Sequence, residues 1–325
     1  MSLWKRASNR IDMTVGKWKN DSHFSSRFAA YRVMDELGGR LGLKRASLSA
    51  RDKKDNYIIS YLNDTLAPVI EKYKNEDYPG EKQEHAPIWV CWWTGIDSAP
   101  KLVKQCVKSI QARAGVHPVT LITEKNVSDY LDIPTYIIEK NQSGAMGMAQ
   151  LSDYLRIALL EKFGGLWLDA TIFCAFDIPE DFFNYPFFTC KSPYRDSGYI
   201  SKYRWTSFCM GGWKGNIVFR YLREGFEKYW LDNDYQIDYL FIDYLINSGW
   251  ENVQTIRHYI SSVPENTPHR DDLQAAMNAA LPAEDFWSVV DNDTPIYKLS
   301  WKETYSEVTT NGGQSVYGYY LDMNI

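Results

Sequence analysis

The sequence predicts an α/β domain with a mostly parallel sheet, entered through a helical extension. From residue 87 to residue 174, short apolar runs rich in strand formers alternate with helical patterns, the grammar of βα units. Glycines and prolines punctuate the changes. The first 85 residues are polar and helical in pattern.

The elements follow in order. "DKKDNYIISYLNDTLAPVIEKYKNED" carries apolar residues at helical spacing. "NEDYPGEKQEHAP" is charged and holds two prolines and a glycine, so it reads as a linker. It divides a basic helical extension, residues 1–85, from the main domain, residues 86–325. "PIWVCWWTG" (87–95) is a buried strand ended by Gly95. "DSAPKLVKQCVKSIQARAG" is a helix with Ser98 as N-cap, Pro100 in the first turn and Gly115 just past the end. "HPVTLIT" (117–123) is a second strand, "NVSDYLDI" a short helix and "TYIIEK" a third strand. "MAQLSDYLRIALLEKFGG" is a long helix stopped by Gly164 and Gly165, and "LWLDATIFC" (166–174) is the next strand. Beyond Cys174, "PFFTCKS" and "SFCMGGWKGN" read as strand or loop, and "NIVFRYLREGFEKYWL" and "DYLFIDYLINSG" as helices. A helix near 270–280 precedes "PIYKLSWKETY".

Composition narrows the class. The five cysteines are scattered without a CxxC, which disfavours a disulfide scaffold or zinc ribbon and fits a reducing compartment. No run of 18 apolar residues occurs and the N-terminus lacks a signal-peptide core, so a cytoplasmic protein is expected. Residues 1–60 hold 13 Lys/Arg against 6 Asp/Glu, the remainder 23 against 35. The basic part also carries Leu3, Trp4, Ile11, Met13, Val15, Trp18, Phe24 and Phe28. It suits either an anionic membrane surface or docking on the main domain. No GxGxxG or P-loop occurs, and the five histidines show no metal-ligand spacing. No nucleic-acid partner is expected. Aromatic residues make up 15% of the chain, enough to supply stacking faces for sugars or bases as well as core.

Two constellations carry chemistry. On the long helix, Ser152, Asp153 and Arg156 lie in the first turns of an otherwise apolar segment. Asp153 and Arg156 fall about 60° apart on one face. A charged pair on a buried helix is costly unless paired or turned to a ligand; it also suits the helix dipole. On the following strand, alternation puts Trp167, Asp169 and Thr171 on one face. Asp169 and Thr171 thus present two oxygen groups at the strand's end, where α/β sheets bind ligands. Oxygen groups suit Mg²⁺ or Mn²⁺, which neutralise a diphosphate; an Asx turn would use the same Asp169.

"SDYLRIALLEKFGGLWLDAT" resembles the signature of glycosyltransferase family 32, of the related bacterial capsular polysaccharide synthesis proteins, and of the large clostridial glucosylating toxins. The matching residues are Ser152, Asp153, Arg156, Gly164, Gly165, Trp167 and Asp169. The resemblance is clear over residues 86–175 and leaves out 1–80. It implies a GT-A fold binding a nucleotide-sugar, with Asp153 and Arg156 on the donor sugar and nucleotide and Asp169 on a divalent metal, Mn²⁺ or Mg²⁺, or on the ribose. Thr171 stands where the wider family has its second Asp, which removes one carboxylate from the metal argument.

The loop Trp92, Trp93, Thr94, Gly95 would meet the base, with Trp92 or Trp93 stacking on uracil; plain core is the alternative. Lys298, Ser300, Trp301 and Lys302 are candidates for the diphosphate, or surface residues. Asp243 in "LFIDYL" is a candidate facing the acceptor, a base if the reaction inverts, or a satisfied helical Asp. The expected function is transfer of a hexose from a nucleotide-sugar, a UDP-sugar by resemblance, to a capsular or other surface glycan or a lipid-linked saccharide. Retention at the anomeric carbon is implied. The alternative is a nucleotide-sugar-binding scaffold that has lost catalysis, as Thr171 suggests; a third reading is a peripheral membrane adaptor built on the basic region.

Overall fold

The computed structural model describes residues 18, 20–193, 199–282 and 286–325. Three helices come first: α1 (Ser26–Arg40), α2 (Lys44–Thr65) and α3 (Ala67–Tyr73). Ser25 caps α1, its side chain accepting from Arg27 N. Then follow β1 (Ile88–Cys91), α4 (Lys101–Ala112), β2 (Val119–Ile122), α5 (Thr135–Gln142), α6 (Met148–Phe163) and β3 (Gly165–Leu168). The chain continues through β4 (Ile172–Cys174), β5 (Phe187–Thr189), β6 (Cys209–Gly212), α7 (Ile217–Asp232), α8 (Phe241–Asn252) and α9 (Gln254–Ser262). It ends with α10 (Asp272–Ala276), β7 (Ile296–Lys298) and α11 (Val316–Asp322).

The main sheet has the order β2-β1-β3-β6-β5. β1 pairs in parallel with β2 and β3, but β6 is antiparallel to β3, and β5 to β6. The sheet is therefore mixed rather than mostly parallel. Both faces are covered, which is why its strands read as continuous apolar runs. Alternation divides them: Trp89, Trp167, Met210 and Phe187 enter one core, Ile88, Val90, Leu166, Leu168, Cys209 and Phe188 the other. The first core also takes Phe28 of α1, Ile58 and Leu62 of α2 and Tyr73 of α3, beside Tyr221 of α7 and Leu245 of α8. The helices before residue 85 thus share a core with the rest of the chain.

Some of the extension's positive charge is spent internally: Arg32 Nη2 lies 3.0 Å from Asp238 Oδ2, and Lys54 Nζ lies 2.8 Å from Asp55 Oδ1. Phe24 and Phe28, read above with the basic stripe, are core-packed; Leu3, Trp4, Ile11, Met13 and Val15 lie outside the described residues. No helix among the described residues is long and apolar enough to cross a membrane. All five cysteines are free.

Several elements differ from their sequence reading. "TYIIEK" is helix α5, not a strand; Pro134 caps it in extended conformation and only Ile137 is fully buried. "NVSDYLDI" holds only a single 3₁₀ turn, Val127–Asp129. Pro100, not Ser98, precedes α4; the Ser98 hydroxyl instead donates to Gly95 O. "LWLDATIFC" is two strands. The chain breaks at Asp169, whose N–H donates to Phe208 O and whose carbonyl accepts from Ile172 N. β4 then leaves the main sheet and pairs antiparallel with β7, Ile172 opposite Lys298.

Gly164 and Gly165 make the turn from α6 into β3 at φ +69° and +97°. A Cβ on Gly165 would stand 2.0 Å from Pro87 O, so no other residue fits this close approach of β3 to the chain entering β1.

Candidate donor-sugar site

The carboxyl ends of β1 and β3, the first turns of α6 and α8, and the β7 end meet around a cavity of ≈ 340 Å³. This is where an open α/β sheet offers a crevice. Each element contributes for a local reason. The turn after β3 presents Asp169 and Thr171, although as a turn and not as one strand face. The β4–β7 ladder sets Lys298 beside Thr171, and Leu299 N donates to Thr171 O at 2.9 Å. α6 runs back from the cavity, so its N-terminal residues Ser152, Asp153 and Arg156 line it.

The charged groups form one chain. Arg156 Nη1 donates to Asp153 Oδ1 at 2.7 Å and Arg156 Nη2 to Asp169 Oδ1 at 2.9 Å. Trp167 Nε1 donates to the same Asp169 oxygen at 3.0 Å, and the Arg156 guanidinium lies 4.9 Å over the Trp167 ring. Lys298 Nζ donates to Thr171 Oγ1 and stands 3.6 Å from Asp169 Oδ2. On α8, Asp243 Oδ1 accepts from Trp205 Nε1 at 2.9 Å. Burial pushes the Asp153 carboxyl up to about 7, with the neighbouring Asp243 and Asp169 charges adding to it against Arg156. Burial likewise pushes Asp243 up to about 6, opposed by the Trp205 hydrogen bond and Arg156. Such raised carboxyls beside a cavity are characteristic of working sites. The Cys91 thiol, also on the cavity wall, is pushed up to about 12 by burial and stays protonated at neutral pH.

Of the residues singled out from sequence, Trp92, Ser152, Asp153, Arg156, Trp167, Asp169, Thr171, Asp243, Lys298, Ser300, Trp301 and Lys302 all line this cavity. Trp301 meets Trp92 edge-to-face, centroids 5.9 Å apart. Trp93 and Thr94 line a neighbouring, more apolar cavity of ≈ 320 Å³ with Trp92, Met148 and Ser152. Gly95 lines neither; it turns the chain at φ +84°. Sequence reading missed Ser207, Tyr239 and Leu240. The last two precede Asp243 in "DYLFIDYL", so the position of that acid was the available signal.

Asp169 is the only carboxylate at the turn. Its Oδ1 already accepts two hydrogen bonds, while its Oδ2 and the Thr171 hydroxyl face one ammonium, that of Lys298. Among the described residues no three His, Cys, Asp or Glu converge. One carboxylate and one hydroxyl are enough for a hard cation that takes its remaining oxygens from water and a diphosphate, and such an ion would compete with Lys298 for the same two oxygens.

Comparison with known proteins places the chain. Among solved structures, the PaToxG glycosyltransferase matches with 13% identity and a TM-score of 0.35, over 66% of this chain and 90% of that one. No curated protein matches. The model of the capsular polysaccharide synthesis proteins matches residues 41–320, a span that takes in α2 and α3. The chain belongs to the capsular polysaccharide synthesis protein family.

Proposed function

We propose that the chain is a glycosyltransferase that takes a hexose from a nucleotide-sugar, a UDP-sugar by resemblance, and passes it to a capsular or other surface saccharide. The carrying observation is Lys298 held against Thr171 and Asp169 at the strand ends, in the cavity that Trp92 also lines. An ammonium there suits a diphosphate, and the flat apolar slot by Trp92 and Trp93 suits its base. Asp153 and Arg156 position the sugar.

In the transfer, the acceptor oxygen bonds to the anomeric carbon. The bond from that carbon to the diphosphate oxygen breaks, and the electron pair leaves with the diphosphate. Lys298, already held at Thr171 and Asp169, stabilises its charge, with the exposed Lys302 on the same wall adding to it. The acceptor proton passes to Asp243. A buried carboxylate with its pKa raised to about 6 is matched to that task near neutral pH. This role favours inversion over the retention implied by resemblance.

The test is incubation with UDP-, GDP- and CMP-sugars, following release of free nucleotide and the anomeric configuration of any product. Release with one donor class, lost in Asp243→Asn, supports the transferase. Binding without release supports the scaffold reading.

The α1–α2 turn supports a peripheral membrane contact. Met34, Leu37, Leu41, Leu43 and Leu48 are exposed around it, Leu41 at 70%, next to the exposed Lys44 and Arg45. Apolar side chains beside cations suit the surface of an anionic bilayer, where a lipid-linked acceptor would lie.

A further inference from the structure

A second cavity, ≈ 430 Å³, adjoins the first and shares Ser207 and Asp243 with it. Its walls include Tyr203, Trp205 and Phe208, and Arg270. Arg270 is 4% exposed, yet its Nε and Nη1 have no hydrogen-bond partner. Among the described residues one carboxylate pairs with it, Asp271, which reaches only 3.8 Å from Nε with its own side chain 69% exposed. The guanidinium lies 5.4 Å over the Phe208 ring and 5.9 Å over the Tyr203 ring.

Burying a guanidinium with open donors is costly and is not repaid by a rim carboxylate. A ligand anion at the small exposed edge of the guanidinium, which lines the cavity, offsets that cost through its charge, because carboxylate and phosphate are strong charge-assisted acceptors for Arg. The aromatic walls offer faces for a sugar ring. A backbone hydrogen bond ties the two sites together: Lys298 N at the end of β7 donates to Arg270 O at 2.8 Å.

We propose that this second cavity is the acceptor subsite and that it takes a saccharide bearing an anionic group, held by Arg270. The shared Asp243 then meets the acceptor hydroxyl at the boundary of the two cavities. Ser207 lies on the same boundary. The assignment of a donor to the first cavity is the reading given above; the anion preference of the second is measured separately from it.

The experiment titrates the full chain at low ionic strength with trigalacturonate, its carboxyl-reduced analogue, glucose 6-phosphate and glucose. The nucleoside diphosphate that binds best is kept saturating, to fill the first cavity. Each titration is repeated in Arg270→Met and Arg270→Lys. The expected result is that an anionic probe binds roughly ten- to hundredfold more tightly than its neutral counterpart, the worth of one charge-assisted hydrogen bond. Preference for trigalacturonate assigns a uronate, preference for glucose 6-phosphate a phosphate ester. The preference disappears in Arg270→Met, survives in part in Arg270→Lys, and nucleotide affinity stays unchanged in both. Arg270→Met also melts no lower than wild type, because an unpaired buried charge has been removed. Equal affinity for charged and neutral probes, no binding of either anion, or a preference that survives Arg270→Met overturns the proposal. So does a large fall in melting temperature, which would make Arg270 a structural group. If nucleotides fail to bind while the anion preference depends on Arg270, the donor reading fails and this one stands.

Discussion

Arg156 on α6 reaches Asp169 on the turn after β3 at 2.9 Å, and its side chain is only 5% exposed. The same guanidinium holds Asp153 at 2.7 Å. One buried cation therefore joins the N-terminal half of α6 to the turn after β3. Removing it leaves two carboxylates without their main partner. Arg156→Gln is expected to cost about 3–5 kcal/mol of stability, as for other broken buried pairs. Urea denaturation measures this; a loss under about 1 kcal/mol, the worth of a surface pair, would contradict the arrangement.

Lys298 is assigned the diphosphate. Lys298→Ala is expected to weaken nucleoside diphosphate binding roughly ten- to hundredfold and to leave the bare nucleoside's affinity unchanged. Calorimetry with both ligands checks it. Because Lys298 faces the oxygens a divalent ion would use, EDTA is expected to leave the wild-type affinity unaltered; a metal requirement would show that Lys298 moves aside.

Asp243 and Asp153 set the pH dependence. Asp243 accepts a proton only when ionised, so kcat/KM should fall as the pH drops through about 6 to about 7, where the two interacting carboxyls titrate as a pair. Asp243→Asn should lower kcat roughly 10²–10⁴-fold and flatten that acid limb. Stability runs the other way. Both folded pKa values lie above the ordinary aspartate value of 3.8, so the folded state holds its protons more tightly. Their contribution is complete below that value and is lost as the pH rises through about 6 to about 7. Melting curves of wild type and Asp243→Asn across this range should converge at low pH, the variant gaining above it.

The α1–α2 turn gives a binding prediction. Replacing Leu41 and Leu43 together by Glu should abolish sedimentation with anionic vesicles and leave nucleotide binding intact. Both side chains are exposed, so folding should not suffer. Equal sedimentation of variant and wild type would exclude this turn as the contact.

The strongest sequence signal lay where local and tertiary demands agree. α6 is read at its full extent because every turn is apolar and two positive-φ glycines end it. Asp153, Arg156 and Asp169 followed from the same stretch. Strand direction was not legible: β6 runs antiparallel to β3 because of how the chain returns after residue 189, which no local pattern encodes. The break at Asp169 was hidden because its N–H still bonds Phe208 O in the β3–β6 register while its carbonyl turns back to Ile172 N, a local turn inside a run that keeps a strand pattern. In "TYIIEK" the β-branched residues suggested a strand, but six residues cannot separate the two periods. Arg270 in "PHRDD" looks like any surface arginine; only burial among Phe208 and Tyr203 sets it apart.

The most direct test is thermal melting against a panel of UDP-, GDP- and CMP-sugars, for wild type beside Lys298→Ala. A donor at 100 times its dissociation constant should add roughly 2.7 kcal/mol to stability. The account predicts a clear rise in melting temperature with one donor class, sharply reduced in the variant. No rise with any donor, or a rise equal in the two proteins, would contradict a nucleotide-sugar site at Lys298, Thr171 and Asp169.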